Sequence, residues 1–355
     1  MPFEPRQPTS STLSGDQQID AMERAPAASE PEVGIVVIGR NEGERLMRCL
    51  DSVVQADLAV VYVDSGSTDG SLEKARSRGV EVVALDPGNP FTAARARNAG
   101  FRRLLELAPR SRYVQFVDGD CELVEGWLTV ARAYLQQRPE LACVSGRLRE
   151  RYPERSLYNR LCDAEWNRPA GETDACGGIA MMRCGVVERL GGFREDMVAG
   201  EEPELCLRIR RSGGLIWRLP DPMACHDADM HRFGQWWKRA KRGGFAYAHA
   251  VWLQGRRSER EALRRCASAW LWVLGPPLAT IGAAFVWGLP ALWLLLVYPA
   301  NVLRLSMRLE GPWRSRFERA AFLVIGRLPE FLGQWQFIAH LRRVAHASAS
   351  FDYKS

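Results

Sequence analysis

Within the first 120 or so residues, short β-rich apolar runs alternate with stretches of helical period, and this alternation restricts the fold more than any other feature of the chain. Residues 33–38 (VGIVVI), 59–63 (AVVYV) and 113–117 (YVQFV) have the length and β-branching of buried strands. Between them, 43–55 places Leu46, Met47, Leu50, Val53 and Val54 at helical spacing. Residues 71–78 and 93–107 read as two further helices and 80–84 as another strand. Strand–helix alternation with short loops predicts an α/β fold: a mainly parallel, doubly wound, Rossmann-like sheet with flanking helices. Ligands of such sheets bind outside the carboxyl ends of the strands. The loops with unusual residues all begin there. Beyond Glu122 the pattern is mixed, with a helix at 127–137, a strand at 142–149, and elements at 177–183, 202–211 and 215–219. Residues 235–254 read as an amphipathic helix rich in aromatic and basic side chains.

The C-terminal third has a different character. Residues 266–303 contain no charged side chain, and nine of the twelve tryptophans lie at or beyond Trp236. As one helix this run would reach ~57 Å, about twice a ~30 Å hydrocarbon core. Pro276-Pro277 and Gly288-Leu289-Pro290 divide it, so two short membrane helices, 267–287 and 289–303, are expected as a hairpin. Arg264 and Arg265 before the run and Arg304 and Arg308 after it place both ends at the cytoplasmic face of an inner membrane. A buried hydrophobic subdomain or a re-entrant loop is the alternative. The net charge of +6 is concentrated at 232–265, with ten Lys/Arg against two Glu, which suits anionic lipid better than nucleic acid. Nine scattered cysteines without a CxxC pair argue against a disulfide framework or structural zinc and for reduced thiols. The expected organisation is a disordered tail at 1–31, a catalytic domain at 32–230, and an interface segment at 231–265. A transmembrane hairpin at 266–305 and membrane-proximal helices at 306–355 complete it.

Two loops carry chemistry. Asp118-Gly119-Asp120 follows a buried strand, and two carboxylates at i, i+2 can approach one hard cation, leaving sites for water and phosphate oxygens. A solvated turn is the plain alternative. Residues 64–70 (DSGSTDG) close the second strand: Asp64 can accept from a base N–H or a ribose hydroxyl, while Ser67, Thr68 or Asp69 suit a helix N-cap.

The ordered stretches VGIVVIGRNEGERLMRCLDSV, VYVDSGSTDGS, ARARNAGFRRL and YVQFVDGDCEL resemble the family 2 glycosyltransferases of GT-A fold. GGIAMMRCGVVERLGGFREDMVAGEEPELCLRIRRSG and a strand ending near His226 extend the resemblance over 33–226. It implies a donor site that includes Asn41, Glu42, Asp64, Arg97, Asn98 and Asp118, with Asp118 and Asp120 as the pair for Mg²⁺ or Mn²⁺. It also implies a catalytic base in the acidic motif at 200–202. The family usually has Glu-Asp where this chain has Glu201-Glu202, so the base is Glu202 first and Glu201 second. A Glu pair favoured by a helix dipole is the alternative. His226 is either a further metal ligand, as in some GT-A enzymes, or an ordinary polar residue. Gln235-Trp236-Trp237-Lys238-Arg239 loosely resembles the Gln-Arg-x-Arg-Trp motif of processive members such as cellulose synthase. It would give Lys238 and Arg239 a donor diphosphate and Trp236 and Trp237 an acceptor sugar, or else it is an interfacial helix.

The expectation is an inverting transferase that uses a divalent metal and a nucleoside-diphosphate sugar, a UDP-sugar first. Its acceptor would be a hydroxyl of a lipid-linked or polysaccharide substrate at the membrane, with no nucleic-acid partner and no protein partner inferable. A nucleotidyltransferase of similar fold would carry a Gly-rich basic loop after the first strand, where GRNEGER has two glycines inside and two arginines. A non-catalytic, membrane-tethered scaffold that binds nucleotide or carbohydrate is the other alternative.

Overall fold

The computed structural model of the chain describes residues 32–54, 58–254 and 260–351; the tail expected at 1–31 lies outside them. The elements run β1 (Val33–Gly39), α1 (Glu44–Val53), β2 (Ala59–Asp64), α2 (Ser71–Ser77), β3 (Glu81–Ala84), α3 (Ala93–Leu107), β4 (Tyr113–Asp118) and β5 (Cys121–Leu123). Then come α4 (Trp127–Gln137), β6 (Leu141–Glu150), α5 (Leu157–Trp166), β7 (Gly171–Glu172), β8 (Ala180–Arg183), α6 (Cys184–Arg189), α7 (Glu201–Arg211) and β9 (Leu215–His226).

Nine strands form one sheet in the order β3-β2-β1-β4-β8-β6-β9-β5, with β7 paired to β9. The half containing β3, β2, β1 and β4 is parallel. Beyond it β8 runs antiparallel to both β4 and β6, and β6 and β9 are parallel to each other. The doubly wound expectation therefore holds for the first half, and the second half is mixed. Successive side chains of β1 go to opposite faces, as the period of two requires. Ile35 and Val37 join Leu46, Leu50, Ala75, Trp127 and Leu135 in one core, while Val36 and Ile38 join Phe101, Leu104, Val187, Leu205 and Ile209 in the other. Burial on both faces is why these strands read as continuous apolar runs.

β9 is longer than the 215–219 expected. It continues through Pro220 and Pro222 because its pairing with β6 shifts register around Arg147–Pro222, where proline's missing N–H costs no ladder bond. The extension reaches Ala224, Cys225 and His226, which pair antiparallel with β5.

After β9 the chain is helical: α8 (Phe233–Gln254), α9 (Arg260–Trp287), a 3₁₀ turn (Leu289–Leu296), α10 (Val297–Arg308), α11 (Trp313–Ile325) and α12 (Arg327–Phe351). α8 and α12 cross backbone to backbone. A Cβ on Gly244 would lie 2.0 Å from the Glu330 carbonyl oxygen, and one on Gly333 would lie 2.0 Å from that of Lys241. Only glycine permits that approach at both points. Contrary to the sequence expectation, Pro276-Pro277 does not break α9. Pro276 supplies no N–H to the carbonyl of Trp272, and the Tyr298 hydroxyl donates to that oxygen instead, at 2.7 Å. Two stretches, Ala262–Trp287 and Leu289–Arg308, are long and apolar enough to cross a membrane, and where they meet they expose Phe285 at 88% and Leu289 at 81%.

Candidate active site

Parallel pairing brings the strand ends to one level: Ile38 of β1 lies opposite Asp118 of β4, and Gly39 opposite Asp64 of β2. The loops after these strands therefore share one edge of the sheet. After β4 the chain turns at Gly119, whose N–H donates to the Ile38 carbonyl (2.8 Å), and enters β5. β5 lies against β9 with Cys121 opposite His226, and Asp227 N–H donates to the Asp120 carbonyl (2.9 Å). That register puts His226 Nε2 3.3 Å from Asp120 Oδ2. On its other side, Nδ1 stands 3.2 Å from Oε2 of Glu150, which the β6–β9 register places opposite His226. Burial alone would lower the His226 pKa, but the bonds to Asp120 and Glu150 outweigh it and push it up to about 9.

Asp118 is held differently. Arg97, on α3 and 3% exposed, donates from Nη2 to Asp118 Oδ1 (2.8 Å) and from Nη1 to Glu201 Oε1 (2.7 Å). One guanidinium fork thus joins the acidic turn to the start of α7. Gly178 covers this pair: a Cβ there would lie 2.7 Å from both Arg97 Nη2 and Asp118 Oδ2. Glu202, the next residue on α7, points elsewhere. It is 7% exposed, and its Oε1 accepts from the Cys176 N–H (2.7 Å) and from the thiols of Cys176 (3.0 Å) and Cys206 (2.9 Å).

Asp118, Asp120, Arg97, Glu201, Glu202 and Glu42 line a cavity of about 990 Å³. Burial, and then the Asp120 carboxylate, push Glu42 up to about 7 against the opposing pull of Arg45. A carboxylate whose pKa is raised by its carboxylate neighbours belongs to a set that a cation would relieve. Asp120 and His226 offer carboxylate oxygen and imidazole nitrogen within 4.8 Å of each other, a donor set that fits a divalent ion. Asp118 Oδ1 is already engaged by Arg97, so Asp120 and His226 are the readier pair.

The remaining expected residues separate into those on the cavity and those that shape its loops. Asn41 accepts from Thr68 N–H (2.8 Å), and its own N–H donates to Ser67 Oγ, tying the first loop to the second. Asp64 is consumed by its own loop: Tyr62 Oη donates to Oδ1 (2.9 Å) and the N–H groups of Gly66 and Ser67 to Oδ2 (3.0 and 2.8 Å). Asn98 does not line the cavity; its amide accepts from Phe193 N–H and donates to Phe193 O and Glu195, fixing that loop. Trp236 and Arg239 line the cavity, whereas Trp237 and Lys238 do not. Their positions on α8 turn them away, and Trp237 packs on Phe233 (5.6 Å). Trp236 meets Phe322 edge-on at 4.7 Å. Arg239 pairs with Glu165 and lies over Trp166, whose ring is 4.1 Å from His226. Glu150 and the two thiols were missed by sequence reasoning; their places depend on strand register and on the 174–179 loop, for which the local sequence carries no signal.

A parallel α/β half-sheet with its acidic turn, an antiparallel extension and a deep cavity at the strand ends define a GT-A domain. A solved mannosyltransferase from Pyrobaculum calidifontis, in complex with GDP-Man and Mn²⁺, has the same fold: TM-score 0.57 at 22% identity, over 89% of this chain and 93% of that one. The family model of glycosyl transferase family 2 matches residues 34–191 of the chain. A TPR repeat-containing protein of Synechococcus elongatus is 30% identical over 143 residues, 40% of this chain and 33% of that protein. A pre-mycofactocin glycosyltransferase of Mycobacterium tuberculosis is 24% identical over 212 residues, 56% of this chain and 43% of that protein. The chain spans less than half the length of these curated relatives.

Proposed function

We propose that the protein transfers a sugar from a nucleoside-diphosphate sugar, with inversion, to a hydroxyl of a lipid-linked or saccharide acceptor at a membrane surface. The observation that carries this reading is one cavity lined at once by the Asp118/Asp120 turn, the Arg97 fork and a buried carboxylate, Glu202. Asp120 and His226, with Asp118, would hold a divalent cation, which when bound supplies Lewis-acid neutralisation of the leaving diphosphate. Glu202 takes the proton of the acceptor hydroxyl. The freed oxygen forms a bond to the anomeric carbon from the face opposite the diphosphate, and the breaking C–O bond sends its electron pair to the departing nucleoside diphosphate. Proton removal by a placed base contributes ~10²–10⁴-fold. Arg97 keeps Asp118 and Glu201 in register around the donor. A membrane acceptor is supported by the cavity's other wall, where Arg242, Arg319 and Phe322 come from helices adjoining the two apolar stretches. The flanking arginines of those stretches favour a hairpin with the catalytic domain in the cytoplasm.

The test is a donor panel (UDP-glucose, UDP-galactose, UDP-N-acetylglucosamine, GDP-mannose) assayed for nucleoside diphosphate release with and without EDTA. Turnover that stops in EDTA and in Asp120→Asn is expected; full activity in either case refutes the metal assignment. A protein that binds these donors without ever releasing diphosphate would be a scaffold instead.

A further inference from the structure

Glu202 is held by an unusual set of donors. Three converge on a single oxygen, Oε1: the backbone N–H of Cys176 and the thiols of Cys176 and Cys206. Oε2 takes no hydrogen bond among the described residues. Both cysteines are buried, at 3% and 0% exposure, and their sulfurs are 3.5 Å apart, in contact but not bonded. Each thiol has one proton. Cys176 can share its proton with the Gly177 carbonyl at 3.3 Å, whereas Cys206, one helical turn along α7 from Glu202, has Glu202 and the Cys176 sulfur as its hydrogen-bond partners among the described residues. Burial pushes the Cys206 thiol well above its ordinary range, and contact with Cys143 does the same for Cys176. Both therefore remain S–H donors at neutral pH.

A side-chain carboxylate one methylene longer than the usual Asp has an additional torsion, and the reacting oxygen could wander by about an ångström, enough to cost ~100-fold in rate. We propose that Cys206 and Cys176 are positioning residues: they remove this freedom by fixing Oε1, and they leave Oε2 as the oxygen that takes the acceptor proton. The same contact sets the distance between the base and the acidic turn. Cys176 is followed by Gly177 and by Gly178, which lies on Asp118 and Arg97. The loop is thus held at one end by the base and at the other by the candidate metal turn.

This inference rests on Glu202 being the base, so the full chain is assayed as four variants side by side, with the donor that gives turnover in the panel above. Glu202→Gln tests the base, and Cys206→Ala, Cys206→Ser and Cys176→Ala test the clamp. Cys206→Ala should lower kcat about tenfold, the scale of losing a hydrogen bond to a charged group, with the donor KM within about twofold. Cys206→Ser keeps a donor of similar size and should recover most of that loss. Cys176→Ala should fall between them, because the Cys176 thiol divides its proton between Glu202 and the Gly177 carbonyl. A Cys206→Ala enzyme with the parent kcat, while Glu202→Gln is inactive, overturns the clamp alone. A Cys206→Ser enzyme as impaired as Cys206→Ala also overturns it, since volume and not the donor would then matter. An active Glu202→Gln overturns the base assignment itself. Cys176→Ala keeps the question answerable should the Cys206 variants fold poorly.

Discussion

Gly178→Ala is the sharpest perturbation that the site offers, because its effect on activity and its effect on stability separate. The added methyl would start 2.7 Å from Arg97 Nη2 and 2.7 Å from Asp118 Oδ2, where ordinary contact begins near 3.4 Å, so these atoms must retreat by about 0.7 Å. Both are the ends of side chains, which keeps the energetic cost low. Arg97, however, is clamped between Asp118 and Glu201 and cannot move without carrying one of them along. A displacement approaching an ångström in a reacting constellation costs up to ~100-fold in rate, while a local shift of two side-chain ends costs on the order of 1 kcal/mol of stability. The assay is diphosphate release across a Mn²⁺ or Mg²⁺ titration, paired with a thermal melt. Turnover should fall ten- to a hundredfold, with more cation needed for half activation and Tm nearly unchanged. A variant with parent turnover and parent cation dependence would show that Asp118 and Arg97 do not act together in the reaction.

Glu150→Gln should leave the fold intact and weaken divalent-cation activation about ten- to a hundredfold, because the carboxylate orients the His226 ring through Nδ1; an unchanged cation dependence removes His226 from the metal set. In membranes from expressing cells, the full chain should resist both high-salt and carbonate extraction, whereas a surface held by the 232–265 charge alone is released by salt. Quantitative release by carbonate refutes insertion of the apolar pair.

The parallel half of the sheet was legible almost residue by residue. Its strands are buried on both faces and its helices carry clear apolar stripes, so local pattern and tertiary environment agree; 93–107 and 127–137 coincide with α3 and α4. What escaped was everything fixed by non-local pairing. The element read at 215–219 continues to His226, and the shifted register with β6 lets the strand pass Pro220 and Pro222. Glu150 is an unremarkable end to RLRE until that register sets it against His226. The helix through Pro276-Pro277 depends on a hydroxyl from Tyr298, more than twenty residues away. The acidic motif was visible as a pair, but its division of labour was not: Glu201 turns to Arg97 and Glu202 to the thiols, a split made by helical rotation on α7 and by the loop that carries Cys176.

The position of β9 also dictates a schedule of synthesis. Asp118 and Asp120 stand at the end of a parallel half-sheet whose four strands are all made by residue 118, yet His226 emerges about a hundred residues later. At translation rates of ~5–20 residues per second that interval is roughly 5–20 s. Until β8 arrives, β4 is an open edge, because its outer neighbour in the finished sheet is β8, and β6 then stays open until β9 pairs with it; an unpaired edge of that kind recruits other chains. The nascent protein is therefore most vulnerable in the window between its fourth and ninth strands. A ribosome paused there would present a folded half-sheet with one unprotected flank, the natural point for a chaperone to engage.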